Sequence, residues 1–121
     1  MQDQIKDIDR LLDIQEFSNL ILEHMANIEE QQFYNSRLLQ LALLKMLENI
    51  GEAAYQISRA TRAEFTVMEW DKMIGARHVY VHDYFKVDWT KIWVSLNTID
   101  FKEISGKAEG IIKILKRRFS L

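Results

Sequence analysis

The sequence predicts an all-α protein, an antiparallel bundle of four or five helices. Three observations carry this. The 121 residues contain no proline, they contain only four glycines, and apolar residues return every three to five positions over long stretches.

The elements follow in order. Ile5, Ile8, Leu12, Phe17, Ile21, Met25 and Ile28 mark an amphipathic first helix. Polar "NIEEQQFYNS" interrupts it. "RLLQLALLKMLENIGEAAYQIS" follows, with Leu38, Leu39, Leu41, Leu43, Leu44, Met46, Leu47 and Ile50 leaving little room for a solvent face. Such a helix needs neighbours on more than one side, and a second subunit is one candidate. A third helix is predicted from near Glu69 through "ARHVYVHDYF". A fourth starts at Asp88, whose carboxylate suits an N-cap, and Asp100 caps the last. There Phe101, Ile104, Ala108, Ile111, Ile112, Leu115 and Phe119 form one stripe. Gly106 and Gly110, one turn apart, would allow close backbone approach, at about 1 kcal/mol each in helix propensity.

The length suits one domain, residues 1–121. No run approaches the roughly 18 apolar residues of a membrane span, and no signal-peptide pattern opens the chain. The absence of cysteine excludes disulfides and thiolate metal sites, and it fits a cytoplasmic protein. A net charge of −2 argues against gripping long nucleic acid by bulk electrostatics. Lys113, Lys116, Arg117 and Arg118 read either as a solvated helix end, where the macrodipole favours cations, or as a local backbone-binding or partner-binding patch.

"ARHVYVHDYF" gathers one arginine, two tyrosines and two of the chain's three histidines. On a helix His78 and His82, four apart, would share a face. Arg77 and His82, five apart, would be displaced by roughly 140° and could meet only across a groove. Histidine gives and takes protons near neutrality, and arginine presents a charged fork that matches phosphate. Cleaving RNA through its own 2′-hydroxyl needs a base, an acid and a cation on the phosphate. A two-fold dimer pairing this segment with its mate would supply all three without a metal ion or cofactor. Two rival readings use the same residues. His-x₃-His is also a metal-ligand spacing, although no glutamate follows His78. A surface helix with a half-buried pair, Tyr80 and Tyr84, needs no site at all. Glu52 is placed either to orient Arg77 or His82 or to be an ordinary surface charge. Trp70, Trp89 and Trp93 read as core and interface anchors rather than base-stacking platforms.

"NIGEAAYQIS" at 49–58 and "EWDKMIGARHVYVHDYFKVDWTKIW" at 69–93 resemble the HepT-like branch of the HEPN domain family. The resemblance covers most of the chain and is strongest around Trp70, Arg77, His82, Tyr84, Asp88 and Trp93. It implies a homodimeric helical bundle with the motif helices facing each other. It also implies a metal-independent endoribonuclease that acts as a toxin. Arg77 and His82 would be catalytic, with His78 in the position that is often asparagine. It further implies a nucleotidyltransferase antitoxin as partner, which transfers AMP to Tyr84. The alternative within the same resemblance is a non-catalytic module that binds the nucleotidyltransferase or a nucleotide through the same groove.

Overall fold

The computed structural model describes residues 2–78, 81–82 and 86–121, with Val81 and His82 described by backbone alone. Among these residues there are seven α-helices and one minimal β-ladder. The helices are α1 (Gln2–Met25), α2 (Glu30–Asn35), α3 (Arg37–Gln56), α4 (Arg59–Glu64), α5 (Trp70–Gly75), α6 (Trp89–Thr98) and α7 (Phe101–Arg118). No described helix is long and apolar enough to cross a membrane.

Helix α1 is the spine and lies against both α3 and α7. It is antiparallel to both. Arg118, at the end of α7, reaches Gln4 near the start of α1, and Asp7 reaches Ser58 just past the end of α3. The face that α1 buries is Asp7, Ile8, Leu11, Ile14, Ser18 and Ile21. This corrects the expected stripe: Ile5 and Leu12 are exposed, and Ile28 lies beyond the helix. Two members of the true stripe are polar, so hydropathy alone selects a neighbouring one. Buried Asp7 is fully engaged by α4's first turn. Its carboxylate accepts from the Ser58 amide at 2.9 Å, the Ser58 hydroxyl at 2.5 Å and the Thr61 hydroxyl at 2.6 Å.

Helices α2 and α4 are additions to the expected five. Each has six residues, too few to display a period, and each depends on its cap. The Gln32 side chain accepts the Glu29 amide at 2.8 Å ahead of α2, and the Ser58 hydroxyl accepts the Thr61 amide in α4. The expected caps at Asp88 and Asp100 are present: their carboxylates accept from the amides of Lys91 and Glu103, each at 3.0 Å. Helix α7 buries Phe101, Ala108, Ile111, Ile112 and Leu115 of the predicted stripe. Gly106 and Gly110 are not points of close approach, since a Cβ at either would meet nothing within 4 Å. Trp70 is buried and donates from Nε1 to the Phe65 carbonyl at 2.9 Å, while Trp89 and Trp93 pack on Phe33.

The largest departure is the third predicted helix. Helix α5 stops at Gly75, a 3₁₀ turn covers Ala76–His78, and β1 (Val81–His82) pairs antiparallel with β2 (Lys86–Val87). The register sets Val81 opposite Val87 and His82 opposite Lys86. Valine at 81 and 87 favours extended backbone. His78 and His82 therefore do not lie four apart on one α-helix, and the helical phase assigned to them, and to Arg77 and His82, does not apply.

Candidate functional site

The 3₁₀ turn packs on α3, and a cleft of about 510 Å³ opens between them. Lys45, Glu48, Asn49 and Glu52 line it from α3, and Arg77 and His78 line it from the turn. Residues 45, 48, 49 and 52 recur at three- and four-residue spacing, so one face of α3 supplies that whole wall.

Arg77 is held on several sides. A Cβ on Gly51 would lie 2.6 Å from Arg77 Cγ and 2.9 Å from the Met73 carbonyl oxygen, so only glycine lets the turn come this close to α3. Arg77 Nε donates to the Ile74 carbonyl at 3.1 Å, and Nη1 donates to Glu52 Oε2 at 3.2 Å. The face of the guanidinium lies over the Tyr55 ring, 3.9 Å from its centre. The arginine side chain is 20% exposed, against 55% for its partner Glu52. It thus has a fixed stem and an edge open to the cleft.

Glu52 is braced in turn. Gln56 Nε2 donates to its Oε1 at 3.1 Å. This bond and the one from Arg77 hold the Glu52 carboxyl below the usual carboxylate range, with the charges of Arg77 and His78 adding to the effect. Arg77 thus faces an ionised partner at neutral pH. The cleft offers an anchored cation, an imidazole beside it and Lys45 on α3, set among the carboxylates of Glu48 and Glu52, and its cations match a phosphate-bearing ligand.

Of the residues singled out in the sequence, the structure brings Arg77, His78 and Glu52 together. Of the two positions open to Glu52, it occupies the one against Arg77. His82 enters with its backbone only, in β1. Tyr80 and Tyr84 lie outside the described residues. Among the described residues, no three His, Asp or Glu side chains are grouped to hold a metal ion. Two contributors were not read from the sequence, Gly51 and Tyr55. One signal was available: a glycine inside an apolar helix costs about 1 kcal/mol against alanine, so its presence calls for a packing reason.

Residues 1–111 match the family model described as Ribonuclease HepT-like. The chain is 34% identical over 83 residues to "Putative RNase MJ1380" of Methanocaldococcus jannaschii, covering 69% of this chain and 76% of that protein. It is 31% identical over 103 residues to "Putative RNase MJ1216" of the same organism, covering 85% and 84%. It is 31% identical over 105 residues to "Probable ribonuclease HepT" of Thermococcus cleftensis, covering 87% and 94%. No solved structure matches.

Proposed function

This chain belongs to the HepT-like ribonuclease family, and from that premise we propose that it is a metal-independent endoribonuclease, the toxin of a toxin–antitoxin pair. The observation that carries the proposal is Arg77, anchored on α3 with its open edge in a polar cleft. A phosphodiester there meets a fixed positive charge. The 2′-hydroxyl loses its proton to a base and attacks the adjacent phosphorus. The bond to the 5′-oxygen breaks, and an acid protonates that leaving oxygen, giving a 2′,3′-cyclic phosphate and a 5′-hydroxyl. Arg77 stabilises the charge on the crowded phosphate. His82 supplies proton transfer, and His78 assists from the cleft wall.

A second copy completes the reading. Leu38, 80% exposed, and Leu41, 49% exposed, begin a strip on α3 that continues through Lys45, Glu48 and Glu52 into the cleft. The spacing 38, 41, 45, 48, 52 alternates three and four residues, the pattern of a helix seam. Pairing two such strips in parallel covers the leucines and brings the two Arg77 clefts together. In a cytoplasmic setting, a nucleotidyltransferase antitoxin would silence the enzyme by placing AMP on Tyr84. That adds bulk and negative charge to the motif that carries Arg77.

The test is incubation of the purified protein with RNA in EDTA. Cleavage leaving cyclic phosphate ends, lost in His82→Ala with fold and oligomer unchanged, is the expected result. Activity that disappears with EDTA, or survives intact in His82→Ala, overturns the mechanism. An inert unmodified protein favours the non-catalytic binding module instead. Co-expression with a cognate nucleotidyltransferase should add AMP-sized mass increments that Tyr84→Phe abolishes.

A further inference from the structure

We propose that Tyr55 is a positioning residue for Arg77, setting the plane in which the guanidinium meets a phosphate. The inference deepens the ribonuclease reading and rests on it for the reaction, though not for the geometry.

The two hydrogen bonds of Arg77 hold its rim on two sides. Nε is fixed on the Ile74 carbonyl and one N–H of Nη1 on Glu52. The remaining donors of the fork, Nη2 among them, have no partner among the described residues. A planar fork recognises phosphate by presenting two parallel N–H groups, so its orientation decides whether the match forms. Both bonds act from the rim of the planar group, in its own plane. The Tyr55 ring, its centre 3.9 Å from Cζ, bears on the face instead, because the cation is attracted to the aromatic face.

The placement on α3 supports a purpose beyond packing. Gly51 and Tyr55 are one turn apart, and Glu52 lies between them in sequence. One helical strip therefore supplies the gap that admits the arginine stem, the carboxylate that takes its edge and the ring that takes its face. Tyr55 is itself 50% exposed and stands outside the buried core. Removing its ring should leave the core intact while freeing the guanidinium.

The experiment compares Tyr55→Phe and Tyr55→Leu with the full-length wild type. The first readout is NMR of the Arg77 side chain, whose protons a stacked ring shifts upfield. The second is steady-state cleavage of an RNA oligonucleotide in EDTA. Expected are upfield Arg77 resonances in wild type and Tyr55→Phe, and their loss in Tyr55→Leu. For cleavage, kcat should fall about tenfold in Tyr55→Leu with KM little changed, and phenylalanine should restore it. Wild-type kcat in Tyr55→Leu, or phenylalanine performing no better than leucine, overturns the proposal. A wild type that cleaves no RNA defeats the ribonuclease reading. The NMR comparison then decides the placement alone: ring-shifted resonances that leucine abolishes support it, and unshifted resonances in wild type overturn it.

Discussion

Gly51 and Arg77 meet across a gap that has no room for a methyl group, with Arg77 Cγ only 2.6 Å from where a Cβ would sit. The arginine stem can swing aside at little cost. The Met73 carbonyl oxygen, 2.9 Å from the same point, belongs to the backbone of α5 and cannot. Alanine at 51 gains about 1 kcal/mol of helix propensity and loses about 1–3 kcal/mol to overpacking. Overpacking should win, so Gly51→Ala should lose about 1 kcal/mol net and lower cleavage by displacing Arg77. Gly106→Ala and Gly110→Ala have open space and should each gain about 0.5–1 kcal/mol. Urea unfolding of the three variants tests the contrast, which fails if all three move in the same direction.

Asp7 serves three donors from one buried carboxylate. Truncating it strands the Ser58 amide and two hydroxyls, and Asp7→Ala should cost roughly 3 kcal/mol. Ser58→Ala removes one cap and should cost roughly 1 kcal/mol on that account. The two share partners, so the double variant should lose less than their sum. Additive losses in chemical denaturation would contradict the shared network.

The ion pair between Glu64 and Arg118 predicts a pH dependence. Arg118, with a further bond from Gln4, pulls the Glu64 pKa down from its ordinary 4.5 to about 2. A depressed carboxylate stabilises the fold above its unfolded pKa and loses that contribution as pH falls through the folded one. The advantage of wild type over Glu64→Gln in thermal melts should therefore hold above about pH 5 and fade between about pH 4.5 and 2. Both side chains are partly exposed, so the advantage should be small and should shrink with salt. A gap that widens on acidification would reverse the assignment.

Leu38 and Leu41 test the dimer. Glutamate at both should leave the monomer fold untouched, because these side chains contribute little to the core. In sedimentation velocity, wild type should run as a dimer and the double variant as a monomer with unchanged helical circular dichroism. A monomeric wild type, or a dimeric variant, excludes this face as the interface.

What the sequence made legible was local. The carboxylate caps at Asp88 and Asp100 act within three residues, and the α7 stripe obeys a single period. The α1 face was obscured because Asp7 and Ser18 are polar and buried, and the reason for Asp7 lies 51 residues away at Ser58. The segment after Gly75 carries residues compatible with a helix, and pairing between β1 and β2 decides otherwise. Arg77 stood out from the text. That Gly51, Glu52 and Tyr55 hold it depends on how α3 meets the 3₁₀ turn, which no local pattern encodes.

The six residues of α4 are too few to persist as an isolated helix in water. The helix is moored at both ends, to Asp7 of α1 at its start and to Arg118 of α7 at its close. Its amides should therefore exchange with solvent only when the junction of the chain's two terminal helices opens. In hydrogen-exchange terms α4 is part of one cooperative unit with residues at both extremes of the sequence. Opening of that junction would therefore register in the middle of the chain, on the approach to α5 and the arginine beyond it.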